Sequence, residues 1–597
     1  MANIMQQFRA KNKVSRNGFD VNKRLCFSAK AGELLPTYSR VLMTGQTVEV
    51  GNKWETTTAP VNTAAYTRFK EYYEWYFVPI NLLWNKYNTW SLNLKDQTNS
   101  ATSINGASRL TDNHPYFTTY DIQAYLVDSR VGANQFGFAR LSLTQKLLHY
   151  LGYGAYDDGY FLIDQFKLSP WRLLAYQKIC QDYHRFSQWE NTSPERYNIN
   201  YISGSEESLH IPMDQLDVTR QNMFDLNYCN WNKDLFMGLL PNSQYGDAAS
   251  IMAPGAYDFS EPINILSGYP NAGNVTSTPS SSVAPYQSVL AVGGNANFGL
   301  NSASVQSLAR ALGIDPNSVS SRFTILAFRQ QEALQKYKEI TQSNPYDYPS
   351  QKEAHFDFRP NEAYSERSRL IHSQSADIVI RPVINQNITE NDDASLNAAD
   401  IAGYGHNTGG GKTKKFTADV DGVLMCIYHV VPLLDYALPR IDPDNLKTSY
   451  TDYPIPEFDK TGMQQVPLAW LTNSLPDWSS TFTPYSKLLG YAPNYIDVKT
   501  DIDEVKGAFY NGGLEAWVAP ITNEYLYKYL FGSNPTQAGQ YTFNGLDYRF
   551  FKVNPSITDS IFSGENVNAS VRTDKFWINC YHGVDTVAPL DRDGLPY

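Results

Sequence analysis

Residues Phe416–Val431 read FTADVDGVLMCIYHVV. The stretch is rich in β-branched and aromatic residues, and Gly422 divides it into two pieces of strand length. Its most apolar part, Val423–Leu434, spans 12 residues and includes His429 and Pro432. A membrane-spanning helix needs about 20 apolar residues, so this one is too short to span. The expectation is a β element.

Runs of the same kind flank it on both sides. Leu25–Ala29, Val41–Met43, Thr47–Val50, Tyr72–Val78 and Ile378–Ile380 precede it, and Leu514–Ala519, Tyr541–Phe551 and Phe576–Tyr581 follow. Strands are thus expected near both ends of the chain, with 32 Pro and 37 Gly among them and long gaps between. That spacing suits a β-sandwich or jelly roll with large loops better than alternating βαβ units. Three helices are expected as decoration. One follows Ser169-Pro170, with Leu173, Tyr176, Cys180 and Tyr183 on one face; the others are Ser142–Leu151, stopped by Gly152, and about Arg322–Ile340.

Composition narrows the function classes. A length of 597 residues alone would suggest about four domains. Charged residues are only 18%, where globular chains average about 25%, and aromatics reach 14%. Neutral, Tyr- and Trp-rich surface is material for protein–protein contact. A net charge of −11 argues against a body that grips phosphate backbones all over. Residues 1–24, however, carry Arg9, Lys11, Lys13, Arg16, Lys23 and Arg24 against Asp20, giving +5 and leaving −16 elsewhere. A basic arm on an acidic body is a layout for local nucleic-acid contact. Five scattered cysteines without C-x-x-C support neither a disulfide framework nor a zinc ribbon. The opening MANIMQQFRAKNK has no apolar signal region and no lipidation signature, so standard secretion is not expected.

Two segments read as loops. Between Ser267 and Ser304, 23 of 38 residues are Ser, Thr, Asn, Gly or Pro, and residues 385–411 end in three glycines. The sequence GGGKT at Gly409–Thr413 approaches a phosphate-binding loop, but His406 stands where the first glycine belongs and a strand follows instead of a helix. His355-Phe356-Asp357, if on a strand, could supply two ligands of an iron site, with His429 as the third and Arg440 holding a co-substrate. Chance explains that pair equally well. No nucleophile motif is present, so no catalytic residue, metal or cofactor is assigned.

Five islands then resemble one family in order along the chain. They are YFVPINLLW (Tyr76–Trp84), LSPWRLLAYQKICQDYHRFSQWEN (Leu168–Asn191), YCNWNKDLFMGLLPNSQYGD (Tyr228–Asp247), FRQQEALQKYKEI (Phe328–Ile340) and TDKFWINCYHGVDTVAPLDRDGLP (Thr573–Pro596). Together they resemble the major capsid proteins of the Microviridae, small icosahedral single-stranded-DNA phages, in the gokushovirus-like branch. Departures are the long Ser/Asn/Gly-rich insertions and Val587-Ala588-Pro589, where an Arg-containing Pro motif is common.

The resemblance implies an eight-stranded antiparallel jelly roll with long inserted loops. Residues 1–24 would be a basic arm and 25–597 one capsid domain. Its insertions would run over about 85–320, including an exposed loop at 267–304, with a flexible loop at 385–411. A non-enzymatic subunit of this kind self-assembles into a T=1 shell of 60 copies around circular single-stranded DNA. The implied partners are its own copies, the packaged DNA, a small basic DNA-binding virion protein, a DNA pilot protein and a host cell surface receptor. Its place would be the virion, assembled in the bacterial cytoplasm. On this reading Arg9, Lys11, Lys13, Arg16, Lys23 and Arg24 face the interior and contact DNA. A carbohydrate-binding or glycan-processing β-sandwich protein is the alternative.

Overall fold

The computed structural model describes residues 15–61, 65–91, 114–154, 166–202, 210–211, 216, 218–247, 325–358, 361, 366–384, 401–459, 462–473, 487–530, 545–562 and 574–592. The chain divides into two units, residues 1–243 with 341–597, and residues 244–340.

The first unit is mainly β. Its strands are β1 (Asn17–Asp20), β2 (Lys23–Ala29), β3 (Leu35–Leu42), β4 (Thr47–Thr58), β5 (Phe69–Pro79), β6 (Arg369–Ile384), β7 (Ile401–Gly410), β8 (Lys414–Thr417), β9 (Gly422–Pro432) and β10 (Phe576–Ala588). They form one antiparallel, strongly curled sheet. β1 and β2 pair with successive parts of β10, β10 pairs with β4, and β4 pairs with both β7 and β8. The sheet continues β7, β6, β5, β9, β3. β6 carries it round the bend, because Arg369–Ile378 pair with β5 while Val379–Ile384 pair with β7.

Curling brings the inward side chains of the two halves together. Trp54 on β4 lies 4.5 Å from Tyr73 on β5, and His582 on β10 lies 5.7 Å from Tyr38 on β3, ring centre to ring centre. Among these rings sits one carboxylate. Glu71 of β5 is fully buried and accepts from Trp54 Nε1 (2.7 Å) and Asn407 Nδ2 (2.6 Å) on Oε1, and from Thr56 (2.7 Å) and Tyr428 (3.0 Å) hydroxyls on Oε2. Its four donors come from three other strands, which suits an acceptor-only group with about four lone-pair sites.

Helices cover one part of the sheet. α1 (Thr119–Leu126) starts with a capping box between Thr118 and Asp121. α2 (Arg140–Leu151) packs on β3, and α3 (Trp171–Tyr183) packs on β5 and β9. Every residue of β9 is therefore buried, one face in the curled core and the other under α3. Each apolar side chain so enclosed contributes about 1.5–3 kcal/mol. β10 differs. There Phe576, Ile578, Cys580, His582, Val584 and Thr586 point into the core, while the alternate residues face outward.

The expected helices at 142–151 and after Ser169 are present. Gly152 ends α2 in the left-handed conformation, at φ 81°. Pro170 itself occupies the cap position of α3, without a side-chain cap bond. α4 (Ile325–Ser343) matches the third expected helix and crosses the division between the units. In the second unit it holds the 244–247 segment, with Lys338 Nζ donating to the Asp247 carbonyl (2.5 Å) and the Tyr245 N–H to the Lys338 carbonyl (3.2 Å).

Several expectations are corrected. Leu514–Ala519 holds a 3-10 turn at Glu515–Trp517, and the described part of Tyr541–Phe551 ends in another at Tyr548–Phe551. In the second, Asp547 accepts from the Arg549 N–H and turns the chain, and the aromatic Phe550 and Phe551 enter the core without a ladder. Residues 401–410 are strand β7 and not flexible loop, because β4 and β6 satisfy their backbone. The remainder of 385–411 up to 400, and the whole of 267–304, lie outside the described residues.

Candidate interaction face

The outward face of β2, β10, β4 and β7 is built by register. Arg24 pairs with Tyr581, Tyr581 with Lys53, and Lys53 with Gly410, so one row across the sheet reads cation, aromatic, cation. Two residues along lie Cys26, Asn579, Glu55 and Thr408, and beyond them Ser28, Trp577, Thr57 and His406. Trp577 is 49% exposed and Tyr581 45%. Large aromatics left open on a strand face are available for stacking or for a protein contact. Arg24 is steadied by donating from Nε to Asn579 Oδ1 (2.9 Å), and His406 Nε2 stands 3.9 Å from Glu55 Oε1.

At its other end the same face is acidic. Asp20, Asp585 and Glu49 share a row across β1, β10 and β4, followed by Lys415 on β8. The Thr413 hydroxyl donates to Glu49 (2.5 Å) and, with Lys415 at 3.5 Å, holds that carboxyl below the usual glutamate range. Carboxylates in a row repel a phosphate backbone, whereas the Arg24–Tyr581–Lys53 row attracts one. The face is thus chemically divided.

Of the six cations expected to contact DNA, Arg9, Lys11 and Lys13 lie outside the described residues. Arg16, Lys23 and Arg24 are exposed. The arm is nevertheless shorter than 1–24: residues 17–20 and 23–24 are strand, because β10 offers them a ladder, and Arg16 donates from Nη1 to the Gly45 carbonyl (3.3 Å). Lys53, Tyr581 and Trp577 escaped the expectation. Alternation in FWINCYHG, with Phe576, Ile578 and Cys580 in phase, is the signal that puts Trp577 and Tyr581 outside.

The weaker motifs are used structurally. Gly409 and Gly410 end β7, and the Lys412 carbonyl accepts from Gln374 Nε2 (3.3 Å). His355 and Asp357 are not on a strand: α5 (Tyr348–Phe356) ends there, Asp357 is left-handed at φ 52°, and His355 Nε2 meets the Thr341 hydroxyl at 3.0 Å. His429 stacks on Tyr72 at 4.9 Å, and Arg440 pairs with Glu504. Among the described residues no group of three His, Cys, Asp or Glu side chains is placed to hold a metal, and no helix is long and apolar enough to cross a membrane.

Neither the models of known protein families nor the curated protein sequences match the chain.

Proposed function

We propose that this chain is the major coat subunit of a small icosahedral single-stranded-DNA phage of the Microviridae kind, and that its curled sheet is an eight-stranded jelly roll. Strand order is the observation that carries this reading. If β1 with β2 counts as one strand and β7 with β8 as another, one half of the sheet runs first, eighth, third, sixth. The other half runs second, seventh, fourth, fifth. Two interlocked Greek keys produce this order, and viral coats use it. The five co-linear islands of resemblance point the same way.

In this proposal the subunit builds a T=1 shell of 60 copies in the bacterial cytoplasm and has no catalytic role. The open face of β2, β10 and β4 turns its Arg24–Tyr581–Lys53 end toward packaged DNA. A body of net charge −16 outside residues 1–24 leaves most of the genome's neutralisation to the arm and to a small basic virion protein. The pilot protein and a host receptor complete the set of partners. Electron microscopy of the expressed protein tests the reading. Uniform closed particles are expected, and a protein that stays monomeric or forms only irregular aggregates refutes it.

The alternative carbohydrate-binding reading has one observation in its favour. A cavity of about 720 Å³ is lined by Phe186, Trp231, Tyr346, Tyr348 and Phe551 among others. Aromatic residues mixed with polar and charged side chains such as Asp182, Arg185 and Glu366 in one cavity wall suit a sugar ring. Glycan binding by a protein that forms no closed particles would favour this reading over the coat.

A further inference from the structure

Away from the open face, the interior holds a cluster that the proposed function does not use. Lys146 of α2 places Nζ 2.7 Å from Glu33 Oε2 and 2.8 Å from Asp574 Oδ2, and the three side chains are 1–3% exposed. Glu33 Oε2 also accepts the Lys30 N–H (3.0 Å), and Asp574 Oδ2 accepts the Ser28 hydroxyl (2.7 Å). The second oxygen of each carboxyl group, Glu33 Oε1 and Asp574 Oδ1, is buried without a hydrogen-bond partner.

Two carboxylates and one ammonium leave a net negative charge where water is shut out, which is costly. Passing one proton from the ammonium to Glu33 frees the amine without changing the total charge of the trio. Burial works against the Lys146 ammonium, but Glu33 and Asp574 outweigh it and hold its pKa above the ordinary lysine value, so the amine is a minor form visited from the ion pair.

We propose that Lys146 and Asp574 condense into an intramolecular isopeptide bond, with Glu33 carrying the protons. The Nζ lone pair attacks Asp574 Cγ, forming the C–N bond. Glu33, a carboxylate at the outset, carries one proton from the ammonium and a second from the bonded nitrogen to the same Asp574 oxygen, which leaves as water and returns Glu33 to its starting form. Ammonium plus carboxylate gives amide plus water, and no oxidant or cofactor is needed. Fixed contact in a dry site supplies the high effective concentration that such a condensation requires. The bond ties α2 to the segment leading into β10, across 428 residues of sequence.

Peptide mapping of the purified full-length protein by mass spectrometry tests this. The expected product is a branched peptide containing Lys146 and Asp574, lighter by one water than its two parts, whatever processing occurs at the chain ends. Glu33→Gln, which keeps the side chain's shape, should yield the two unlinked peptides, as should Lys146→Arg. Unlinked peptides from the wild-type protein overturn the proposal. A link from Lys146 to Glu33, or a full yield of the Lys146–Asp574 link in Glu33→Gln, overturns the assigned roles.

Discussion

Burial raises the pKa of Glu71 above the ordinary carboxylate value, although its four hydrogen-bond donors pull the other way. A folded-state value above the unfolded one means that the native state holds the proton to higher pH. The stability from this group is therefore complete below the unfolded pKa and is lost as pH rises through the folded one. The buried His582, pushed down to about 3 by burial, has the opposite sign and costs stability as pH falls through the ordinary histidine range. The Glu71 effect is thus read as a difference. Glu71→Gln should match wild type in acid and exceed it towards neutral pH in denaturation midpoint, because the amide nitrogen can donate to the Thr56 and Tyr428 hydroxyls. Glu71→Leu leaves Trp54 Nε1 and Asn407 without an acceptor and should cost about 1–3 kcal/mol. A Leu variant as stable as wild type would sink this account. The position was legible in part, since Glu71 shares its phase along β5 with Phe69, Tyr73 and Trp75. Four donors arriving from other strands were not.

Elements show where local pattern suffices. β5, β9 and β10 were visible because β-branched and aromatic runs coincide with strands that bury at least one face. The same composition misled at Leu514–Ala519, where Glu515–Trp517 form a 3-10 turn that buries no residue and only Val518 and Ala519 are buried. The glycines after His406 looked like punctuation, yet Gly409 is a packing requirement. A Cβ there would sit 2.2 Å from the indole ring of Trp54, the side chain that also donates to Glu71. Gly409→Ala should therefore cost about 1–3 kcal/mol through overpacking. Thermal unfolding measures it, and an unchanged midpoint would show that the packing around Trp54 yields freely. No sequence rule distinguishes such a glycine from a loop glycine, because the ring that excludes the side chain comes from β4, more than 350 positions away.

At the scale of the whole molecule, the fold class was legible from strands near both ends of the chain, and half of the candidate site from charge. Its aromatic half needed the register of β10, which depends on partners far off in sequence. Two tests belong here. On the proposed coat reading, removing residues 2–16, which stops just short of β1, should leave the sheet intact and give particles with less DNA; failure to assemble would make the segment a structural tie. Combining Lys53→Ala with Tyr581→Ala on the open face should leave unfolding unchanged and lower the DNA content of purified particles at least several-fold, since stacking of a base is worth about 1–3 kcal/mol. Full DNA content would remove this face from the packaging role.

β10 holds β1, β2 and β4 together, and its residues follow theirs by roughly five hundred positions. On a ribosome those early strands emerge with open edges and wait until Phe576–Ala588 has been made. Long-range pairing of this kind folds slowly and exposes the chain to association meanwhile. It also makes completeness a condition of folding: a chain that ends early lacks the strand on which its own first strands depend, so a prematurely terminated copy cannot close the sheet.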